Sequence, residues 1–516
     1  MNSKLDNEEG PRALRFPGML PLFICAWISC TAAGYAYEYT GENVSASLSG
    51  YLDSRAVYAF DRDTPKERPT TQLGLEFTSK VSTWSGSKIL LRAVDDGTVK
   101  DPQNGRLFTE FDRIYQDKNP YVSPDEAYLD FYTGKVDFRL GIQKFAWGRL
   151  DEINPTDILN PEDFTQGGTN DEIDRKIGIP AVKTNVYSDI VNVEIAWIPR
   201  FVPYRLPTPE ERWFPGVFKP PAFINVGPTV GDVPVTAQYR DIDLPGFTIE
   251  NSEAGIRISK YIAGWDLSVS YFNGYDTMPV MDGPTDLTVE LVDPLALDYA
   301  LSLELAFEPV LHRMNVFGFD FTTTMGSFTI RGEYAYFQNK YYNRTLESVL
   351  RQEVTPARQE AIFDEFLRNY IDSGYTLTRQ TFHIDPELNI RMDSMKYGLG
   401  VDYIYGDTSV SMQVIQEFIP DYDKNRPVYF NKNGLDTLVT VLFKQFFLQN
   451  TLDLNLRAAY DIEFKDYIIK PSLRYNFTNN LQGTIGLIIL GGKYSDSLIG
   501  QYADNDEAYV QLRCSF

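Results

Sequence analysis

From Val44 to Phe516 the chain repeats one pattern: a stretch of alternating apolar and polar residues, a link, then another such stretch. Val136, Phe138, Leu140 and Ile142 oppose Asp137, Arg139, Gly141 and Gln143; Ala508, Val510, Leu512, Cys514 and Phe516 oppose Glu507, Tyr509, Gln511, Arg513 and Ser515. Period-2 alternation makes strands with one greasy and one wet face. The links alternate in length. Short ones fall at 81–86, 133–135, 188–189, 260–264, 324–325, 406–407, 447–450 and 477–479. Long ones fall at 61–70, 96–124, 143–178, 199–250, 274–311, 338–395, 419–435 and 490–505, with one tight link near 463–465 on the long side. A soluble sandwich has no reason to segregate its links in this way. A sheet standing in a membrane, with short turns on one side and long loops on the other, does.

The expected fold is therefore all-β: a closed antiparallel transmembrane β-barrel of about 18 strands (16–18), each near the ~10 residues that a tilted membrane strand needs. Closure follows because lipid offers no partner for an open sheet edge, so the first strand, 44–60, must pair with 506–516. After residue 36 no run reaches the ~18 apolar residues of a spanning helix. Mean hydropathy is -0.28 and hydrophobic residues make up 43%, too polar for a bundle of membrane helices. The net charge of -23 argues against nucleic acid.

Residues 1–36 read as a secretory signal: Lys4, Arg12 and Arg15, an apolar core from Met19 to Ile28, then a cut after Ala36. Residues 37–516 are then the barrel, with both termini expected in the periplasm. The outward faces include Tyr397, Leu399, Val401 and Tyr403, and Leu452, Leu454, Leu456, Ala458 and Tyr460. Out of register with them stand Asp130, Asp137, Arg139, Arg257, Arg331, Glu333, Arg457, Arg474 and Arg513, with Glu194 and Asp453. An arginine or lysine facing mid-bilayer costs roughly 2–4 kcal/mol, so these residues are assigned to the wall of a wet lumen.

In 141–164 the alternation stops at Trp147-Gly148, and Asn154-Pro155 and Asn160-Pro161 start turns. This is the third long link, and it resembles the inward-folded constriction loop of general porins. The expected lip of the constriction is Asp151, Glu152, Asp157, Glu162 and Asp163, facing wall arginines across the lumen. The stretch also resembles a functionally uncharacterised family of proteobacterial outer-membrane proteins that pairs a strand ending in Trp-Gly with an Ile-Asn-Pro-x-Asp segment. Trp147, Gly148, Asn154, Pro155 and Asp157 carry the likeness, and 175–180 and Trp197-Ile198-Pro199 add to it. That resemblance implies fold and location rather than a substrate. The chain's end resembles the last strand of Gram-negative outer-membrane barrels, which the barrel-assembly machinery reads; it implies Tyr509, Leu512 and Phe516 as the insertion signal.

The link 199–250 is Pro-rich, and Arg212-Trp213-Phe214 is a candidate anchor for a cap over the mouth, with a mobile external flap as the equal alternative. Within 338–395 a short helix is expected, because Leu346, Val349, Leu350, Ala361, Ile362, Phe366 and Tyr370 recur at helical spacing around Pro356. There is no Gly-x-Ser-x-Gly, His-Glu-x-x-His, phosphate loop or haem-attachment motif, and the two histidines, His312 and His383, stand apart. No enzyme, cofactor or metal is expected. The acidic runs Asp421–Asn425 and Asp504–Glu507 read as solvated loops rather than calcium sites. The expected role is a porin-like diffusion channel. Its expected partners are small solutes, outer-membrane lipid and lipopolysaccharide, and the assembly machinery, with a homo-oligomer left open. The alternatives are a sheath around a partner such as a periplasmic cytochrome, or a barrel-embedded lipid hydrolase.

Overall fold

In the computed structural model, residues 36–60, 70–95, 121–169, 172–207, 209, 211–225, 231–293 and 298–516 are described. All of the signal segment but its last residue lies outside them. Nineteen strands share one sheet, but Tyr37–Thr40 pairs only with the strand that follows it, which leaves eighteen around the ring. They are β1 (Val44–Ala59), β2 (Thr70–Val81), β3 (Ser85–Asp95), β4 (Tyr121–Tyr132), β5 (Val136–Gln143), β6 (Ile179–Tyr187), β7 (Asn192–Ile198), β8 (Glu253–Ile262) and β9 (Trp265–Tyr275). There follow β10 (Arg313–Met325), β11 (Phe328–Asn343), β12 (Asn389–Tyr405), β13 (Thr408–Phe418), β14 (Leu435–Phe447), β15 (Leu452–Asp461), β16 (Tyr467–Asn476), β17 (Leu481–Gly491) and β18 (Glu507–Ser515). Each pairs antiparallel with the next, and β18 pairs with β1 from Tyr51↔Ser515 to Ala59↔Glu507. Phe516 N donates to Gly50 O (2.9 Å) and Gly50 N to Phe516 O (2.8 Å), so the last residue completes the seam. The barrel is closed.

The wall is greasy outside. Leu75, Leu91, Leu140, Val269, Leu399, Val414 and Ile485 are all exposed, and Leu399 stands directly opposite Val414. A contiguous apolar belt of this extent is a membrane surface. Aromatic rings gather at the short-turn end: Trp84 on Phe131, Phe328 on Tyr403, and Tyr475 on Phe477. A second set, Tyr271, Phe317 and Tyr336, lies toward the long-loop end. These are the two interfacial girdles of an outer-membrane barrel. No described helix is long and apolar enough to cross a membrane.

Three of the expected long links contain strands of their own. Segments from 199–250, 274–311 and 338–395 build a second sheet, in the order Arg379–Ile384, Thr285–Asp293, Asp298–Val310, Asp232–Tyr239, Phe223–Asn225, with Val280–Asp282 added beside Asp298–Val310. The one short helix expected there is two. Pro356 does not interrupt a helix but opens the second one, where its missing N–H costs nothing. Thr355 caps that helix by accepting from Arg358 N. Helices α1 (Leu346–Glu353) and α2 (Pro356–Asp372) cover the apolar face of the sheet. Leu346, Val349 and Leu350 pack with Leu287, Leu303 and Leu305; Phe366 and Tyr370 pack with Val289 and Leu291. This cap has a hydrophobic core of its own.

Leu399→Arg is expected to cost about 2–4 kcal/mol in urea-titrated folding into lipid vesicles, because it puts a guanidinium against lipid. Thr440→Arg, on the inner face of β14, is expected to cost less than half as much.

Candidate functional site

The third long link (L3, 144–178) turns into the lumen and runs along the inner wall. Asn160 ties its two ends together: Oδ1 accepts from Phe145 N (2.7 Å), and Nδ2 donates to Ile177 O (2.8 Å) and Gln143 O (3.1 Å). Trp147 then fixes the turn. Its indole Nε1 donates to Glu194 Oε1 of β7 (2.6 Å), and its ring lies on Gly255 of β8. Gly148 takes φ 92°, a backbone state that side chains disfavour, and a Cβ there would come within 2.8 Å of the Glu333 carboxylate.

From Gly148 onward the wall receives the loop strand by strand. Arg149 reaches Asp266 on β9 (2.6 Å) and Asp320 on β10 (3.0 Å), and Asp320 also holds Arg257 of β8 (2.9 Å). Glu333 on β11 is 4% exposed and accepts four hydrogen bonds from L3. Leu150 N (2.6 Å) and Arg149 N donate to Oε1; Thr156 Oγ1 (2.8 Å) and Thr156 N (3.0 Å) donate to Oε2. Leu150 packs over Gly398 and Gly400 of β12, where a Cβ on Gly398 would come within 2.6 Å of it. Asp151 meets Arg331 (2.6 Å), which also holds Asp402 of β12 (2.6 Å). Glu152 reaches Arg457 of β15 (2.6 Å). On the return limb, Lys470 of β16 donates to Thr169 O (3.1 Å). The loop is laid against the wall from β7 to β16.

The five acids expected as an open lip are each paired. Asp151 meets Arg331, Glu152 meets Arg175 (3.3 Å) and Arg457, Asp157 meets Lys176, Glu162 meets Arg175 (3.1 Å), and Asp163 meets Arg205 (2.7 Å). Burial disfavours the Arg175 charge, but Glu162 and Glu152 outweigh it and its pKa lies above the ordinary arginine value. Lys144 shows the opposite balance: burial lowers its pKa although Asp125 lies 2.9 Å away. Arg331 and Arg457 touch the loop acids directly rather than facing them across a gap, so opposite charges cancel at contact distance.

The other expected wall residues share the inner face. Arg139 pairs with Asp130 (2.7 Å) and stacks on Tyr128 (3.8 Å), with Asp137 in the same register nearer the turn. Arg474 lies 3.9 Å from Asp453, and Arg513 lies 4.0 Å from Asp53 and over Tyr51 (4.1 Å). Of the insertion-signal residues, Leu512 and Phe516 alternate with the lumen face, whereas Tyr509 points inward beneath Arg55 (4.3 Å). The parity of the strand requires this, because Glu507 and Gln511 flank Tyr509 and bind Arg55 and Asp53. Sequence reasoning passed over Asp266, Asp320, Asp402 and Gln413, which only the ring of strands brings to L3. It also missed an apolar cluster of Phe145, Trp147, Ile198, Phe272, Met314 and Phe337 between L3 and the wall near the long-loop end. Asp436, Asp461 and Glu463 bring three carboxylates within 4.8 Å of one another from two strands and a turn. His312 is stacked on Tyr341 (3.6 Å), and His383 pairs with Asp286 (2.7 Å) on the cap sheet.

A family model described as "Protein of unknown function (DUF1302)" matches residues 92–516. The chain belongs to the DUF1302 family. No curated protein matches it. Among solved structures it is similar to Acinetobacter baumannii OccAB4 (TM-score 0.47, 10% identity, covering 91% of this chain and 98% of that one). It is similar to Acinetobacter baumannii OccAB1 (0.46, 9%, 93% and 99%) and to Salmonella typhi OmpF in complex with daunomycin (0.39, 10%, 93% and 100%). The family match covers L3 and its partners on β5–β16, while β1 and β2 lie outside it.

Glu333→Ala leaves three backbone amides and a hydroxyl facing an apolar gap, and each buried unpaired donor costs about 1–3 kcal/mol. We expect the barrel to remain folded on unheated gels, while limited proteolysis newly cuts within 149–157. Gly148→Ala should produce the same cut more weakly.

Proposed function

We propose that this DUF1302 protein is an outer-membrane diffusion channel for small solutes, with L3 as its constriction and both termini in the periplasm. The observation that carries the proposal is L3 itself, a segment held on the inner wall by Glu333 inside a barrel that is charged within and apolar without. Such a loop narrows a water-filled lumen at a fixed height, and side chains at a fixed constriction set what passes. Asp151, Glu152, Glu162 and Asp163 line it beside the wall arginines Arg331 and Arg457, while the side chains of Asp157 and Glu333 are buried and hold the loop. Because each of the five acids has a cation at contact distance, the local field is short-ranged. Size and polarity then select the solute more than charge does.

In this reading Trp147, Gly148 and Asp157 are the loop's fastening. The Trp147 indole holds Glu194, Gly148 allows the approach to Glu333, and Asp157 holds Lys176. A sheath around a partner protein needs an empty lumen, and L3 together with the start of the Pro-rich link 199–250, which bonds to it, already lies within this one.

Planar-bilayer recording of the purified protein tests the proposal. The native protein should conduct with weak preference between potassium and chloride. Removing 150–164 should raise single-channel conductance at least twofold, and Glu333→Ala should add open-channel noise. Equal conductance with and without 150–164 would overturn the constriction, and no conductance from any of the three would overturn the channel.

A further inference from the structure

The Pro-rich fourth link does more than join β7 to β8, which are adjacent strands. From Pro199 it runs alongside L3, where Phe164 N donates to Arg205 O (2.7 Å) and Arg205 N to Glu162 O (2.9 Å). It then reaches the part of the wall built from β14 to β18. There Trp213 packs with Leu438, Ile488, Leu490 and Ile499, and with the Tyr502 ring (5.4 Å). Arg212 Nη1 meets Glu507 Oε2 of β18 (2.8 Å), both side chains almost fully buried, and its Nη2 donates to Asp506 O (3.0 Å). Asn505 Nδ2 donates to Arg212 O (3.0 Å). In an eighteen-strand ring β16 stands opposite β7, and Trp213 reaches β17 beside it. The strap therefore spans the lumen.

The next residue points elsewhere. Phe214 is buried in the cap core with Phe218, Ile224 and Val233. Trp213 and Phe214 thus belong to two different hydrophobic cores, one on the wall and one in the cap, with Pro207, Pro209 and Pro215 stiffening the chain on either side. L3 is fastened at strand after strand. By contrast, the far end of the strap holds at one short joint, Arg212 to Gly216, where Gly216 N also donates to Gln501 Oε1 (2.8 Å). The cap beyond it is hinged elsewhere, with Met281 N donating to Asn343 Oδ1 of β11 (2.7 Å), and has a core that can stay intact when the joint opens.

We propose that Arg212 and Trp213 form a latch, and that the strap and cap are a lid that opens by withdrawing Trp213 from its pocket over Ile488. Lids of this kind are small, discrete packings that exchange between two arrangements without unfolding the body they cover. The effect of the lid on current rests on the channel reading above; its movement does not.

The test uses the full-length protein in lipid vesicles. Ile488→Cys places a thiol beneath Trp213, and a membrane-impermeant maleimide added on the long-loop side reads its exposure, corrected for the parent protein's own thiols. Adding Arg212→Ala should speed labelling at least tenfold, and the same substitution alone should lengthen channel openings in a bilayer. A separate Arg212→Cys/Asn505→Cys pair, oxidised, should hold the lid shut and suppress openings until reductant is added. Labelling equally fast with and without Arg212→Ala would overturn the latch, as would an oxidised pair that conducts like the parent. Labelling that obeys the latch without any current would keep the lid and overturn the channel instead.

Discussion

One carboxylate holds the interior of this barrel in place. Glu333 stands on the inner face of β11 and takes hydrogen bonds from Arg149 N, Leu150 N, Thr156 N and Thr156 Oγ1. A buried carboxylate is costly unless its lone pairs are filled, and backbone amides inside a barrel are costly unless they find acceptors. Each solves the other's problem. The neighbouring contacts depend on this geometry: Leu150 over Gly398 and Gly400, Asp151 on Arg331, and Arg149 between Asp266 and Asp320 all follow once 148–156 lies against β11.

The lumen is consequently built in zones. Toward the short turns it is lined by paired charges and hydroxyls, such as Lys88 with Glu126 (2.8 Å) and Ser47 with Thr78 (2.6 Å). At mid-height L3 is laid on the wall. Toward the long loops Phe145, Trp147, Phe272 and Phe337 form an apolar packing more like a soluble core than a pore. Above that the cap closes on its own core. Lipid sets the outer face of the chain, but the inner face answers only to the segments that come to rest on it.

That division explains what could be read from the residues. The barrel was legible because lipid enforces a period of two and a segregation of turns and loops that only the tight link near 463–465 breaks, visible from Val136–Gln143 to the final Phe516. The fold of L3 was half legible. Trp147-Gly148 announced the end of a strand, yet nothing in the spacing of Asp266, Asp320, Asp402 and Gln413 says that they meet one loop. The acids Asp151 to Asp163 were found as a group, but their cations come from β11, β15, the strap and, with Arg175 and Lys176, the return limb of L3 itself. The sheet of the cap was missed although its signal was present. Leu287, Val289 and Leu291 alternate as clearly as any barrel strand, but link parity left no place for them in the membrane. Tyr509 was given to the insertion signal on resemblance, whereas strand parity sends it to the lumen.

L3 is as much a part of the wall as the strands are. Hydrogen–deuterium exchange on the native protein in lipid tests it most directly. The amides of Leu150 and Thr156 should exchange as slowly as those of β11 and β12, at least a hundredfold slower than exposed turn amides such as those of Asp189 and Ile190. Exchange of 149–157 at the rate of those turns would mean that L3 hangs loose in the lumen.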